Sequence, residues 1–174
     1  MAKALFVTGT GTDVGKTYIS ALMSKALREA GLNAAYYKAA VSGNVRRPDG
    51  TLIPGDARFV REYAGLSQGE ETMCPYVYEH AWSPHLAAQA EGNPPELPVI
   101  RAGFQAVCDR HEIVTVEGSG GILCPCVMTR RKSCGWRTWY SSWGWPASSW
   151  PMRAWAPSTA WCSQRSICGP AIWR

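Results

Sequence analysis

The chain has 174 residues and a formal net charge of +5 at pH 7, but residues 1–125 hold all 13 acidic residues and only 11 of the 18 Lys+Arg. The positive surplus belongs to residues 126–174 alone, which excludes reading it as the nucleic-acid footprint of a folded domain. No apolar stretch reaches transmembrane length, and Met1-Ala2-Lys3 leads into a short apolar run without the build of a signal peptide, so a cytoplasmic protein with scattered free thiols (Cys74, Cys108, Cys124) is expected.

Ala4-Leu5-Phe6-Val7-Thr8 is an apolar run of strand type. Gly9-Thr10-Gly11-Thr12-Asp13-Val14-Gly15-Lys16-Thr17 follows directly. Then Ile19, Leu22, Met23, Ala26 and Leu27 recur at helical spacing and mark the apolar stripe of a helix that Gly31 stops. Strand, glycine loop, Gly-Lys-Thr and helix together make a phosphate cradle. Backbone N–H groups of Thr12, Asp13, Val14 and Gly15 face anionic oxygens, Lys16 reaches the terminal phosphates, and the Thr17 hydroxyl is placed to ligate Mg2+. A nucleoside triphosphate, ATP or GTP, is the expected ligand. The strict pattern has glycine where Thr10 stands, so with Gly9 as its first glycine the loop is one residue longer than the common form.

Ala34 to Lys38 reads as a second strand, with paired tyrosines before the lysine. A loop through Ser42-Gly43 and Pro48-Asp49-Gly50 leads to a helix opened by Asp56 and ending near Gly65, with Phe59, Val60 and Tyr63 as its apolar face. Ser83 as N-cap and Pro84 at the first position start another helix. Pro95 to Asp109 is a longer amphipathic helix. Ile113 to Val116 is a buried strand running into Glu117-Gly118-Ser119-Gly120-Gly121. Strands alternating with helices predict an α/β fold of the P-loop NTPase type, a mostly parallel sheet flanked by helices, with ligands at the C-terminal strand ends.

Lys16, Lys38 and Glu117 all fall at those ends. Glu117, closing a strand beside a glycine turn, and Asp56 are candidate Mg2+ ligands with Thr17, since Mg2+ takes one or two carboxylates plus phosphate oxygens. The turn residues Gly118, Ser119 and Gly120 count with the nucleotide site. Lys38 is the candidate for stabilising charge on whatever receives the γ-phosphate. Plainer readings stay open: Asp56 as a helix cap, Lys38 as a solvated lysine, Ser42 as a turn residue, and His85 as a structural histidine. His80 and His111 read as surface residues.

Residues 126–174 are written differently. They hold no Asp, Glu or Leu, and eight of the nine Trp. Without leucine there is no apolar period from which to build a helix or strand. Back-translated with each codon boundary moved back by one nucleotide, several junctions admit a single residue. Met128-Thr129 gives Asp, Trp139-Tyr140 gives Val, Trp143-Gly144 gives Gly, Trp145-Pro146 gives Ala, Trp155-Ala156 gives Gly and Trp161-Cys162 gives Val. The shifted text reads as ordinary α/β sequence, and TGG arises where Leu or Val codons ending in TG precede a G. Two domains of text are therefore expected: residues 1–125, the N-terminal part of a nucleotide-binding domain, and residues 126–174, a frameshifted tail that is not natively folded. The other reading is a real basic, Trp-rich tail that binds membrane or nucleic acid.

Five motifs in order resemble the dethiobiotin synthetase family: G-T-G-T-D-V-G-K-T (9–17), Y-Y-K-A-A-V-S-G (36–43), G-D-A (55–57), S-P-H-L-A-A (83–88) and V-E-G-S-G-G (116–121). The resemblance covers residues 2–125. It implies an ATP- and Mg2+-dependent ligase of biotin biosynthesis, acting on 7,8-diaminopelargonate and CO2 in a cytoplasmic homodimer, with neither nucleic acid nor membrane as partner. It also implies the roles. Lys16 and Lys38 would hold carbamate and γ-phosphate, Thr17, Asp56 and Glu117 would ligate Mg2+, and Ser42 would contact the diamine. The loop alone is shared with partition ATPases and cobyrinate amidases, which supply the alternative function. In the family the segment after the Glu-Gly-x-Gly-Gly motif supplies adenine contacts and part of the dimer interface, so the polypeptide as translated is either an enzyme or an inactive product. Limited proteolysis of the 174-residue chain is expected to remove the tail from Cys126 onward first; resistance through the tail overturns the frameshift reading.

Overall fold

The computed structural model describes residues 2–121, 124–129 and 132–135. Most of segment 126–174, and with it most of the expectation that the tail is not natively folded, lies outside the described residues, but residues 126–129 and 132–135 do form strand, against the expectation that a leucine-free tail builds none. The first half runs β1 (Lys3–Val7), α1 (Lys16–Glu29), β2 (Ala34–Lys38), β3 (Ala40–Val41), β4 (Val45–Arg46), β5 (Leu52–Ile53) and α2 (Gly55–Ala64). The second runs α3 (Glu70–Met73), β6 (Tyr76–Val77), α4 (Pro84–Ala90), α5 (Leu97–Cys108), β7 (Ile113–Glu117), β8 (Pro125–Thr129) and β9 (Lys132–Gly135).

The central sheet has the order β1-β7-β2, with both pairings parallel. Val7 and Lys38 both stand in register with Glu117, so the three share the last rung at the C-terminal end. Side chains alternate across the sheet. Ala35, Tyr37, Val114 and Val116 pack with Ile100, Phe104 and Val107 of α5. Ala34, Tyr36 and Ile113 pack with Ala21 of α1 and with Ala57, Val60 and Ala64 of α2. By the same alternation Tyr36, Lys38, Thr115 and Glu117 all belong to the α1–α2 face. The α/β layering expected from the sequence is what the chain adopts. Short pairs complete it: β3 with β6 in parallel, β4 with β5 and β8 with β9 antiparallel.

Two apolar stripes are corrected. On α1 the fully buried side chains are Ser20, Ala21 and Ser24, while Leu22 is exposed. On α2 they are Ala57, Val60 and Ala64, while Phe59 and Tyr63 are exposed. The reason is mutual packing of α1 on α2. Mostly small residues fill the contact, and the large rings go to its rim. There Phe59 stacks on Tyr63 at 5.7 Å and Tyr18 meets Tyr63 edge-on at 5.9 Å. Ser83 and Pro84 start α4 as expected, although it is the Ser83 carbonyl, not its hydroxyl, that accepts the first N–H groups. Pro54, not Asp56, occupies the N-cap of α2.

Among the described residues the buried Ser24 hydroxyl has no hydrogen-bond partner. Ser24→Ala is therefore expected to leave unfolding free energy unchanged or raise it by up to about 1 kcal/mol. Ile100→Ala, which empties a side chain only 1% exposed, should cost about 2–5 kcal/mol. Urea unfolding measures both.

Candidate active site

The loop between β1 and α1 turns on two residues with positive φ, Asp13 at 56° and Gly15 at 86°. Gly15 is the N-cap of α1, and no residue with a Cβ takes that φ readily. Asp13 does so at a cost in backbone strain, of the kind that concentrates at ligand-holding loops. Thr12 and Asp13 are exposed and Val14 is half-buried. The turn after β7 is held against the loop. The Gly118 N–H donates to the Val7 carbonyl at 3.0 Å, and a Cβ at Gly121 would stand 2.6 Å from the Thr10 carbonyl oxygen. Only glycine permits that approach. Ser119 is buried and its hydroxyl donates to the Ala40 carbonyl, so the turn is tied to β3 as well. Gly120 has φ 67° in the same turn.

Four charged side chains and a hydroxyl meet at this end of the sheet. The Lys16 ammonium donates to the Gly11 carbonyl at 2.5 Å. Burial, and then the positive charge of Lys38, hold its pKa below the ordinary lysine value. Lys38 donates to Asp56 Oδ2 at 2.5 Å and to Glu117 Oε1 at 2.7 Å. Burial opposes its charge, but the carboxylates of Glu117 and Asp56 outweigh burial and hold its pKa above the ordinary value. Thr17 Oγ1 donates to the same Glu117 Oε1 at 2.9 Å. Lys38 is buried rather than solvated, Glu117 is fully buried, and the Asp56 side chain is about a third exposed. Among the described residues no hydrogen bond joins Ser42, which follows β3 and is half-buried, to this cluster.

Three further residues that the sequence reading gave no role in the site also shape it. The Tyr36 hydroxyl donates to Glu117 Oε2 at 3.0 Å. Its burial and the neighbouring Glu117 charge push its pKa well above the ordinary value, so it stays a donor. Asn44 donates to the carbonyls of Val41 and Tyr78 and accepts the Gly55 N–H, which fixes the start of α2 and so the place of Asp56. Gln68 Oε1 accepts the Tyr36 N–H at 2.8 Å. Strand alternation, which puts Tyr36 on the face of Lys38 two residues on, was the signal that could have given it a role.

A divalent metal can be tested against these donors. Thr17, Asp56 and Glu117 offer hard oxygens, and the Lys38 ammonium already lies between the two carboxylates, so that place accommodates positive charge. Among the described residues no group of three or more His, Cys, Asp or Glu could hold a metal ion. A cage made wholly of protein ligands therefore does not fit there, whereas Mg2+ shared between one or two carboxylates and phosphate oxygens does.

A family model described as AAA domain matches residues 3–131. The chain belongs to this AAA-domain family. Its AAA domain is also similar to two curated proteins, both named ATP-dependent dethiobiotin synthetase BioD. The one from Brachyspira hyodysenteriae is 50% identical over 125 residues, 72% of this chain and 54% of that protein. The one from Clostridium botulinum (strain 657 / Type Ba4) is 46% identical over 132 residues, 76% of this chain and 58% of that protein. The chain thus spans about half the length of the curated relatives it matches. A solved structure of the signal recognition particle receptor FtsY from Elizabethkingia anophelis covers 68% of this chain and 30% of its own, at 14% identity and a TM-score of 0.34, a likeness too slight to support an inference.

The charges in this AAA domain differ sharply in what they hold up. Lys38→Met leaves Glu117 buried without its cation and is expected to lower unfolding free energy by about 3–5 kcal/mol. Asp56→Asn, at the solvent side of the same pair, should change it by less than about 1 kcal/mol. Urea titration of the two variants reads the difference.

Proposed function

We propose that the frame-restored protein is an ATP- and Mg2+-dependent ligase that carboxylates 7,8-diaminopelargonate with CO2 and closes the ureido ring of dethiobiotin, a step of biotin biosynthesis. The observation that carries this reading is the gathering of Lys16, Thr17, Lys38, Asp56 and Glu117 at one end of the sheet, in a chain whose relatives bear that enzyme's name. A partition-type switch, which would place a second lysine inside the phosphate loop, is not favoured, because Thr10-Gly11-Thr12 has none.

In this reading CO2 adds to one amine of the diamine, the carbamate takes the γ-phosphate, and the second amine displaces phosphate to close the ring. The backbone N–H groups of Thr12, Asp13, Val14 and Gly15 bind the phosphates, with Gly118, Ser119 and Gly120 lining the nucleotide. Lys16 and Lys38 offset the negative charge of the carbamate and the transferring phosphoryl group, the main way proteins catalyse such transfers. Ser42 contacts the diamine. Thr17, Asp56 and Glu117 would hold Mg2+, which supplies further charge neutralisation on phosphate oxygens. We propose a cytoplasmic homodimer, and residues 126–174 as the out-of-frame remainder of the domain; the single-residue junctions of the shifted reading and the missing acidic and leucine residues support the latter.

The test is to express the chain as written beside a version with one nucleotide restored near the Pro125 codon. ATP-dependent conversion of diaminopelargonate to dethiobiotin is expected only in the restored protein; turnover by the chain as written overturns the frame proposal. In the restored protein Lys16→Ala removes a charge-assisted phosphate contact of about 1.5–3 kcal/mol and should weaken ATP binding or turnover about tenfold or more. Unchanged ATP affinity and turnover would defeat the phosphate-loop assignment.

A further inference from the structure

The carboxylate of Glu117 is divided between its two oxygens. Oε1 accepts from Thr17 at 2.9 Å and from Lys38 at 2.7 Å, on the side of the phosphate loop. Oε2 accepts from the Tyr36 phenol at 3.0 Å, inside the sheet–helix layer. Tyr36 is itself held. It is fully buried, and its N–H is fixed by Gln68 at 2.8 Å. Its strand partner is Thr115, two residues before Glu117, so the phenol reaches the carboxylate across the diagonal of the β2–β7 pair. A rigid donor thus engages one oxygen and leaves the other turned to the site.

That division bears on which metal the site accepts. Ca2+ has a larger, flexible coordination shell that readily takes both oxygens of a carboxylate, whereas Mg2+ demands a near-ideal octahedron with short bonds. A carboxylate restrained to one oxygen serves the second ion better than the first. We propose that Tyr36 is a positioning residue that confines Glu117 to coordination through Oε1 and so makes the nucleotide site selective for Mg2+ over Ca2+. This rests on the assignment of Glu117 as a metal ligand made above. Removing the phenol frees Oε2, loosens the carboxylate and opens the two-oxygen mode.

The experiment titrates Mg2+ and, separately, Ca2+ into the 174-residue chain and into its frame-restored version at a fixed concentration of a fluorescent ATP analogue, reading the half-saturating metal concentration. Tyr36→Phe is compared with Tyr37→Phe, whose lost hydroxyl bonds the Ile100 carbonyl on the opposite face of the sheet. Tyr36→Phe is expected to raise half-saturation about tenfold for Mg2+ and by no more than about twofold for Ca2+, while Tyr37→Phe leaves the ratio of the two unchanged. Tyr36→Met, which removes the same donor with a flexible side chain, should move the ratio the same way. Equal weakening toward both ions, or an unmoved ratio in a protein that does respond to metal, overturns the proposal and leaves the ligand assignment standing. No metal response in the unsubstituted proteins overturns the ligand assignment and the proposal with it.

Discussion

The fold is organised around a carboxylate that has no access to water. Glu117 ends the central strand and is fully buried, and an isolated charge in such a place is strongly unfavourable. Three donors from two elements meet that demand: Thr17 from α1, Tyr36 and Lys38 from β2, with Asp56 of α2 sharing the lysine. Because β7 lies between β1 and β2, only its end is reached from both sides. The phosphate loop arrives after β1 and the lysine at the end of β2. Sheet order, register and helix placement can each be read as conditions for satisfying one side chain.

Much of this was legible in the residues. β2 coincides with the apolar run Ala34–Lys38, and β7 with Ile113–Val116 extended by Glu117. Buried parallel strands have no wet face, so their sequences run apolar without interruption and need no tertiary information to be seen. The glycine loop was equally plain, because phosphate binding by backbone groups leaves its mark in the residues that permit the turn. Lys38, Asp56 and Glu117 were each visible as candidates for the same reason: a charged residue at the end of an apolar strand or the start of a helix is conspicuous.

The unreadable parts depended on distance between elements. Whether Ser20 and Ser24 or Leu22 face inward is decided by how α1 sits on α2, which no helical period records. The same contact put Phe59 and Tyr63 at the rim and Val60 beneath them. Asn44 looked like any loop residue, yet its amide joins three backbone segments. That Lys38 lies between two carboxylates, rather than beside one, follows from register and the placing of α2. Tyr36 was hidden in plain view, since a buried strand tyrosine is ordinarily packing.

The bridging position of Lys38 also fixes how the site looks from afar. Lys16 and Lys38 offset Asp56 and Glu117 in formal charge, and Asp13 in the loop adds one negative charge. These five groups therefore sum to one negative charge and by themselves offer an incoming polyanion no electrostatic steering, the effect that makes association fast and sensitive to ionic strength. On that footing recognition rests on short-range contact rather than on attraction from a distance.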